Sequence, residues 1–153
     1  MGTLSSWVAG RILRILASLE DQGLGWVLPP DTGFQCFSND RQKVRKPDVS
    51  FIRRGRLPDD RLPSGYCPVA PDLAIEVLSP NDRVYDIDAR ITDYLEAGVP
   101  LLWLVNPETR VVQVIHPDGS SVRLGEADQL TGGEVLPGFN CRVSDFFSPP
   151  ASR

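Results

Sequence analysis

The segment Asp72-Leu-Ala-Ile-Glu-Val-Leu78 constrains this chain most, because only Glu76 interrupts a run of apolar residues. A short apolar run of this kind, stopped by Ser79-Pro80-Asn81-Asp82, is what a strand buried on both faces of a sheet requires. It carries a carboxylate inward. An ionised carboxylate without a partner is costly to bury, so a cation has to meet Glu76. A metal ion and an arginine would both serve, and structural ion pairs are common enough to keep both open.

The segments around that strand alternate in period. Apolar residues at Trp7, Val8, Ile12, Ile15, Leu16 and Leu19 have helical spacing, with Ser5 or Ser6 available as N-cap and Gly23 or Gly25 as terminator. Trp26–Leu28, Phe34–Phe37 and Val44–Ile52 read as strands, the last with Pro47 marking an edge or irregular position. Residues 53–70, rich in Pro, Gly and Arg, read as a long loop. From Val84 to Ala97 the period is helical again: Ile87, Ile91, Tyr94 and Leu95 share a face and Gly98 follows as C′ residue. Leu101–Val105 and Val111–Ile115 form a hairpin, Ser121–Leu124 adds a strand, and Val143–Phe147 closes the tail. This pattern predicts one α/β domain over residues 1–153, with a mixed, β-rich sheet flanked by helices.

Composition removes several chemistries. Three scattered cysteines without a C-x-x-C pair read as reduced thiols, and one histidine cannot support a Cys/His zinc cluster. His116, in His-Pro-Asp-Gly, reads as an exposed turn residue, which weakens a Ser-His-Asp or Cys-His hydrolase. The N-terminus lacks a signal-peptide pattern and no apolar run approaches ~18 residues, so a cytoplasmic location without a membrane segment is the expectation. The net charge of −4 argues mildly against nucleic-acid binding. Its distribution argues the other way: Arg41, Lys43, Arg45 and Lys46 precede Asp48, and Arg53, Arg54 and Arg56 follow it. Such a cluster is either a solvated surface or a phosphate-facing rim.

Asp48 opens the run Asp48-Val-Ser-Phe-Ile52 and is the second strand-borne carboxylate. Two carboxylates and water suit Mg²⁺, a hard ion that takes few protein ligands. A metal so held can activate water and neutralise charge on a phosphoryl group. Asp72 is a poor third ligand, because four residues of extended chain put it roughly 13 Å from Glu76.

Taken together, Arg45-Lys-Pro-Asp48-Val-Ser-Phe, Pro71-Asp-Leu-Ala-Ile-Glu76-Val-Leu-Ser-Pro80, Tyr94-Leu-Glu-Ala-Gly98-Val, Leu102-Trp-Leu-Val-Asn-Pro107, His116-Pro-Asp-Gly119 and Leu136-Pro-Gly-Phe139 resemble the Uma2 family of restriction-type endonucleases. The resemblance spans nearly the whole chain. It implies a restriction-endonuclease-like core of the PD-(D/E)xK nucleases, hydrolysing DNA phosphodiester bonds with water activated by Mg²⁺ or Mn²⁺. By that resemblance Asp48 is the aspartate of the PD motif, Glu76 the acid of the (D/E)xK motif, and Val77 lends the metal its backbone carbonyl. Leu78 stands where the plain motif has lysine. Sequences of this family put that lysine on the following helix, at the place of Arg90, which would take a catalytic role or simply pair with Asp86 on the helix surface. Arginine can clamp a phosphate but cannot act as a base near neutral pH. Members also ordinarily begin with some tens of residues more, including a polar stretch and a histidine whose place falls near Ser5; this chain reads as lacking that segment, as a truncated form or a naturally short one. The alternative is a degenerate nuclease fold kept as a binding or assembly module. A homodimer, formed through the hydrophobic hairpin around Trp103, is a third possibility.

Overall fold

The computed structural model describes residues 1–152. Two helical segments open the chain, α1 (Thr3–Leu16) and the short α2 (Ser18–Asp21). Strands β1 (Gly25–Leu28), β2 (Val49–Arg53) and β3 (Leu73–Val77) follow, then helix α3 (Val84–Glu96). Strands β4 (Leu101–Asn106), β5 (Val111–Ile115) and β6 (Ser121–Leu124) complete a six-stranded sheet in the order β1-β2-β3-β4-β5-β6. Neighbouring strands are antiparallel except β3 and β4, which are parallel and joined across α3. This is the mixed α/β sheet that the sequence pattern predicts.

Alternation along β3 sorts its side chains onto two faces. Leu73, Ile75 and Val77 join the larger core with Val8, Ala9, Ile12 and Leu16 of α1. Ala74 lies on the other face, in a second cluster with Tyr94 of α3, Val99 and Leu102. The sheet is therefore covered by α1 on one side and α3 on the other, and Glu76 shares the α3 side with Ala74. α3 ends in a Schellman arrangement: Gly98 takes φ +85°, Gly98 N–H donates to Leu95 O at 3.1 Å and Val99 N–H to Tyr94 O at 3.0 Å.

Several local expectations are corrected. α1 starts after Gly2 and not at a serine cap; Ser5 is buried and its hydroxyl donates to Leu78 O at 2.7 Å, satisfying the carbonyl just past β3. Phe34–Phe37 is not a strand: only Phe34 pairs, with Arg45 on one side and Cys67 on the other. Ladder pairing of β2 starts at Val49, after Pro47, so the missing proline N–H costs nothing and β2 lies inside the sheet rather than at its edge. A second sheet of β7 (Gln129–Gly132) and β8 (Leu136–Arg142) occupies a stretch that the sequence leaves unassigned. Its pairing shifts register between Thr131 and Gly132, and Gly132 packs so tightly against Leu136 that a Cβ would lie 2.2 Å from the leucine Cβ. Short strands punctuated by glycine and proline give no usable alternation. Trp103 is buried between Phe139 and Phe146, with centroids at 5.9 and 6.1 Å, and is not on offer to a dimer partner.

Candidate metal centre

The register of β2 and β3 pairs Phe51 with Leu73, Ser50 with Ala74 and Val49 with Ile75. One further step places Asp48 opposite Glu76. The Asp48 N–H donates to Ile75 O at 2.9 Å, and the Val77 N–H donates to Asp48 Oδ2 at 2.7 Å, fixing that carboxylate beside β3. Glu76 is 5% exposed. Tyr94 O–H donates to its Oε1 at 2.7 Å, and Arg90 Nη1 donates to its Oε2 at 3.3 Å. Tyr94 and Arg90 lie one turn apart on α3, so the helix packed on this face supplies both partners.

Arg90 lies beside Glu76, and Asp86 is not its partner. Arg90 Nη2 instead reaches Asp82 Oδ1 at 3.5 Å, and Asp82 Oδ2 accepts from the Ser79 N–H at 2.8 Å. In the sequence Asp82 reads only as part of the stop after β3, and Tyr94 only as an apolar-face residue. A tyrosine one turn from Arg90 on a face that meets a carboxylate-bearing strand is the signal that could have identified it. Arg90 Nε is buried without a partner among the described residues.

Burial pushes the Glu76 carboxyl up to about 7, and the nearby Asp48 charge adds to the rise, outweighing the opposing effects of Tyr94 and Arg90. Asp48 is also raised, first by burial, against the lowering effect of the Val77 N–H. Asp82 raises both. Two neighbouring carboxylates that resist ionisation together form a centre short of positive charge, and Arg90 relieves only part of it.

Asp48, Val77, Ser79, Asp82 and Arg90 line an open cleft of about 610 Å³ that Met1 and Gly2 also border. Glu76 lies just behind this lining. The donors are hard carboxylate oxygens, with a backbone segment at Val77 beside them. Among the described residues no group of three or more His, Cys, Asp or Glu side chains is placed to hold an ion. A two-carboxylate set is what Mg²⁺ accepts when water and substrate oxygens complete its shell, so these residues fit that ion. Asp72 is elsewhere: it accepts from the Arg53 N–H at 2.7 Å and pairs with Arg56 at 3.0 Å.

The basic residues around Asp48 are largely committed to structure. Lys43 Nζ lies 2.8 Å from Asp93 Oδ1 and Arg45 Nε 2.7 Å from Asp93 Oδ2, both onto a buried carboxylate of α3. Arg53 donates to Glu134 O, Arg54 pairs with Asp60, and Arg56 pairs with Asp72. Arg41 and Lys46 are exposed and have no ion pair among the described residues. His116 is exposed in a turn closed by its N–H to Ser120 O at 2.9 Å. No helix among the described residues is long and apolar enough to cross a membrane.

Comparison with known proteins gives the same direction. A solved structure titled as a putative nuclease belonging to DUF820, from Anabaena variabilis ATCC 29413, superposes with a TM-score of 0.82 at 18% sequence identity, over 96% of this chain and 82% of that one. At that identity the likeness shows the fold alone. No curated protein matches. The sequence pattern of the Uma2 family, described as "Putative restriction endonuclease", matches residues 1–144. This chain therefore belongs to the Uma2 family.

Proposed function

We propose that this protein is a metal-dependent endodeoxyribonuclease, one domain over residues 1–153, that hydrolyses DNA phosphodiester bonds. The observation that carries the reading is the facing pair Asp48 and Glu76, both raised in pKa, at the edge of an open cleft with Arg90 between Glu76 and Asp82. Asp48, Glu76 and the carbonyl of Val77 are the groups that would hold Mg²⁺ or Mn²⁺, whose chemistry there is to polarise the phosphate and activate water. The chain's own residues do the rest. The Val77 N–H fixes the Asp48 carboxylate, and the Tyr94 hydroxyl fixes Oε1 of Glu76, so neither has to reorganise on loading. Arg90 supplies a permanent positive charge for the phosphate and takes no proton from water.

A second reading has its own observation. Arg90 already sits against Glu76 and Asp82, where a cation is wanted, which suits a nuclease fold that has lost turnover and serves as a binding or assembly module. Incubation of plasmid and single-stranded DNA with Mg²⁺ or Mn²⁺ separates the two. The nuclease reading expects cleavage by the parent and a loss of at least about a hundredfold in Glu76→Gln. No cleavage by the parent while it still binds DNA favours the second reading, and equal cleavage by both would show that Glu76 does not carry the chemistry.

A further inference from the structure

Lys43, Arg45 and Asp93 form a cluster that the proposed chemistry does not use. The backbone of Arg45 is locked to Phe34 by two hydrogen bonds, of 2.8 and 3.0 Å. Its side chain is held by Asp93, a 6%-exposed carboxylate that binds both its Nε and Nη2. Lys43 binds the other oxygen of Asp93 and lies over the Phe37 ring at 5.9 Å from its centroid. Two cations share one carboxylate, so the cluster keeps a surplus of one positive charge. Nη1 of Arg45 makes no hydrogen bond to another described residue.

Arg45 also borders a second cleft, of about 340 Å³, with Asp82, Asp86, Ala89 and Arg90 as the other walls. Asp82 is engaged by Arg90 and the Ser79 N–H, and Asp86 is exposed, where water and salt screen its charge. Arg45 precedes Asp48 by three residues, at most about 10 Å of extended chain. The second cleft therefore continues from the carboxylate pair through the shared residues Asp82 and Arg90.

We propose that Arg45 is a phosphate-binding residue that positions the DNA strand, taking a backbone phosphate beyond the scissile one, with Asp93 orienting its guanidinium for the purpose. The proposal rests on the nuclease reading and adds a residue to it. An arginine whose Nε and Nη2 are fixed by a buried acid loses little freedom when Nη1 meets a phosphate, which is how preorganised contacts gain affinity. Lys43 completes the clamp from the far side and does not line the cleft.

The test is binding of a fluorescein-labelled 20-base-pair DNA duplex by anisotropy in EDTA, across a salt series, with melting curves for each variant. Arg45→Ala is expected to bind about tenfold more weakly at 0.1 M salt, with the slope of log K against log salt reduced by about 0.9, one phosphate contact. Arg45→Lys keeps the charge and is expected to keep the slope. Arg110→Ala removes an exposed charge that pairs with Glu126 and lines neither cleft, and is expected to keep the parent's slope. Parent-like affinity and slope in Arg45→Ala overturn the proposal, as does a slope change in Arg110→Ala equal to that in Arg45→Ala. A parent that binds no duplex overturns the nuclease reading itself and this proposal with it.

Discussion

In EDTA at pH 8, Glu76→Gln is expected to melt roughly 6–12 °C above the parent, a gap that shrinks to a few degrees at pH 5. The Glu76 carboxyl is raised from its ordinary 4.5 to about 7 in the fold, so the folded state holds its proton more tightly than the unfolded state. A carboxyl raised in this direction contributes stability at low pH, loses it as pH climbs from about 4.5 through about 7, and has none left above. The shift corresponds to about 3 kcal/mol at pH 8. Glutamine keeps an oxygen for the Tyr94 hydroxyl and has no charge to desolvate or to set against Asp48. Asp93 is lowered by Lys43 and Arg45, against the cost of its burial, so it contributes stability that is lost toward acid. That contribution is common to both proteins and cancels in the comparison. If Glu76 and Arg90 were instead a stabilising ion pair, the variant would melt below the parent at pH 8, because Arg90 would be stranded.

Arg90→Lys is expected to raise cleavage at saturating Mg²⁺ by about tenfold or more. The arginine reaches Glu76 and Asp82 with its two terminal nitrogens while burying an Nε that no described residue satisfies. Lysine removes that buried donor, releases Asp82, and puts one compact charge beside Glu76. Its pKa can fall with burial, so it can also move a proton, which a guanidinium cannot do near neutral pH. Unchanged or lower cleavage with metal binding intact would show that Arg90 does not occupy the place of a catalytic lysine.

The strand carrying Glu76 and the helix carrying Arg90 were legible because each is a strong local signal: an apolar run interrupted by one carboxylate, and a 3.6-residue face ended by Gly98. Asp48 was legible for the same reason, at the start of a short β-branched and aromatic run. The sequence does not show how far a basic residue lies from its acid. Lys43 and Arg45 read as part of a solvated surface or a phosphate-facing rim, yet both close on Asp93, some fifty residues along the chain, and that pairing depends on α3 docking over the sheet. The roles of Tyr94 and Asp82 were hidden likewise, since each contacts the site only once β3, the turn after it and α3 are assembled. The β7–β8 sheet was missed because Gly132, Gly133, Pro137 and Gly138 punctuate it as they would a loop.

The central claim is that Asp48 and Glu76 jointly hold one divalent ion. Calorimetric titration of Mn²⁺ into the parent, Asp48→Asn and Glu76→Gln tests it most directly. The account predicts one saturable site in the parent and affinity weakened by at least about tenfold in each variant, as loss of one of two charged ligands requires. Parent-like binding in either variant, or no uptake of Mn²⁺ by the parent, would contradict it.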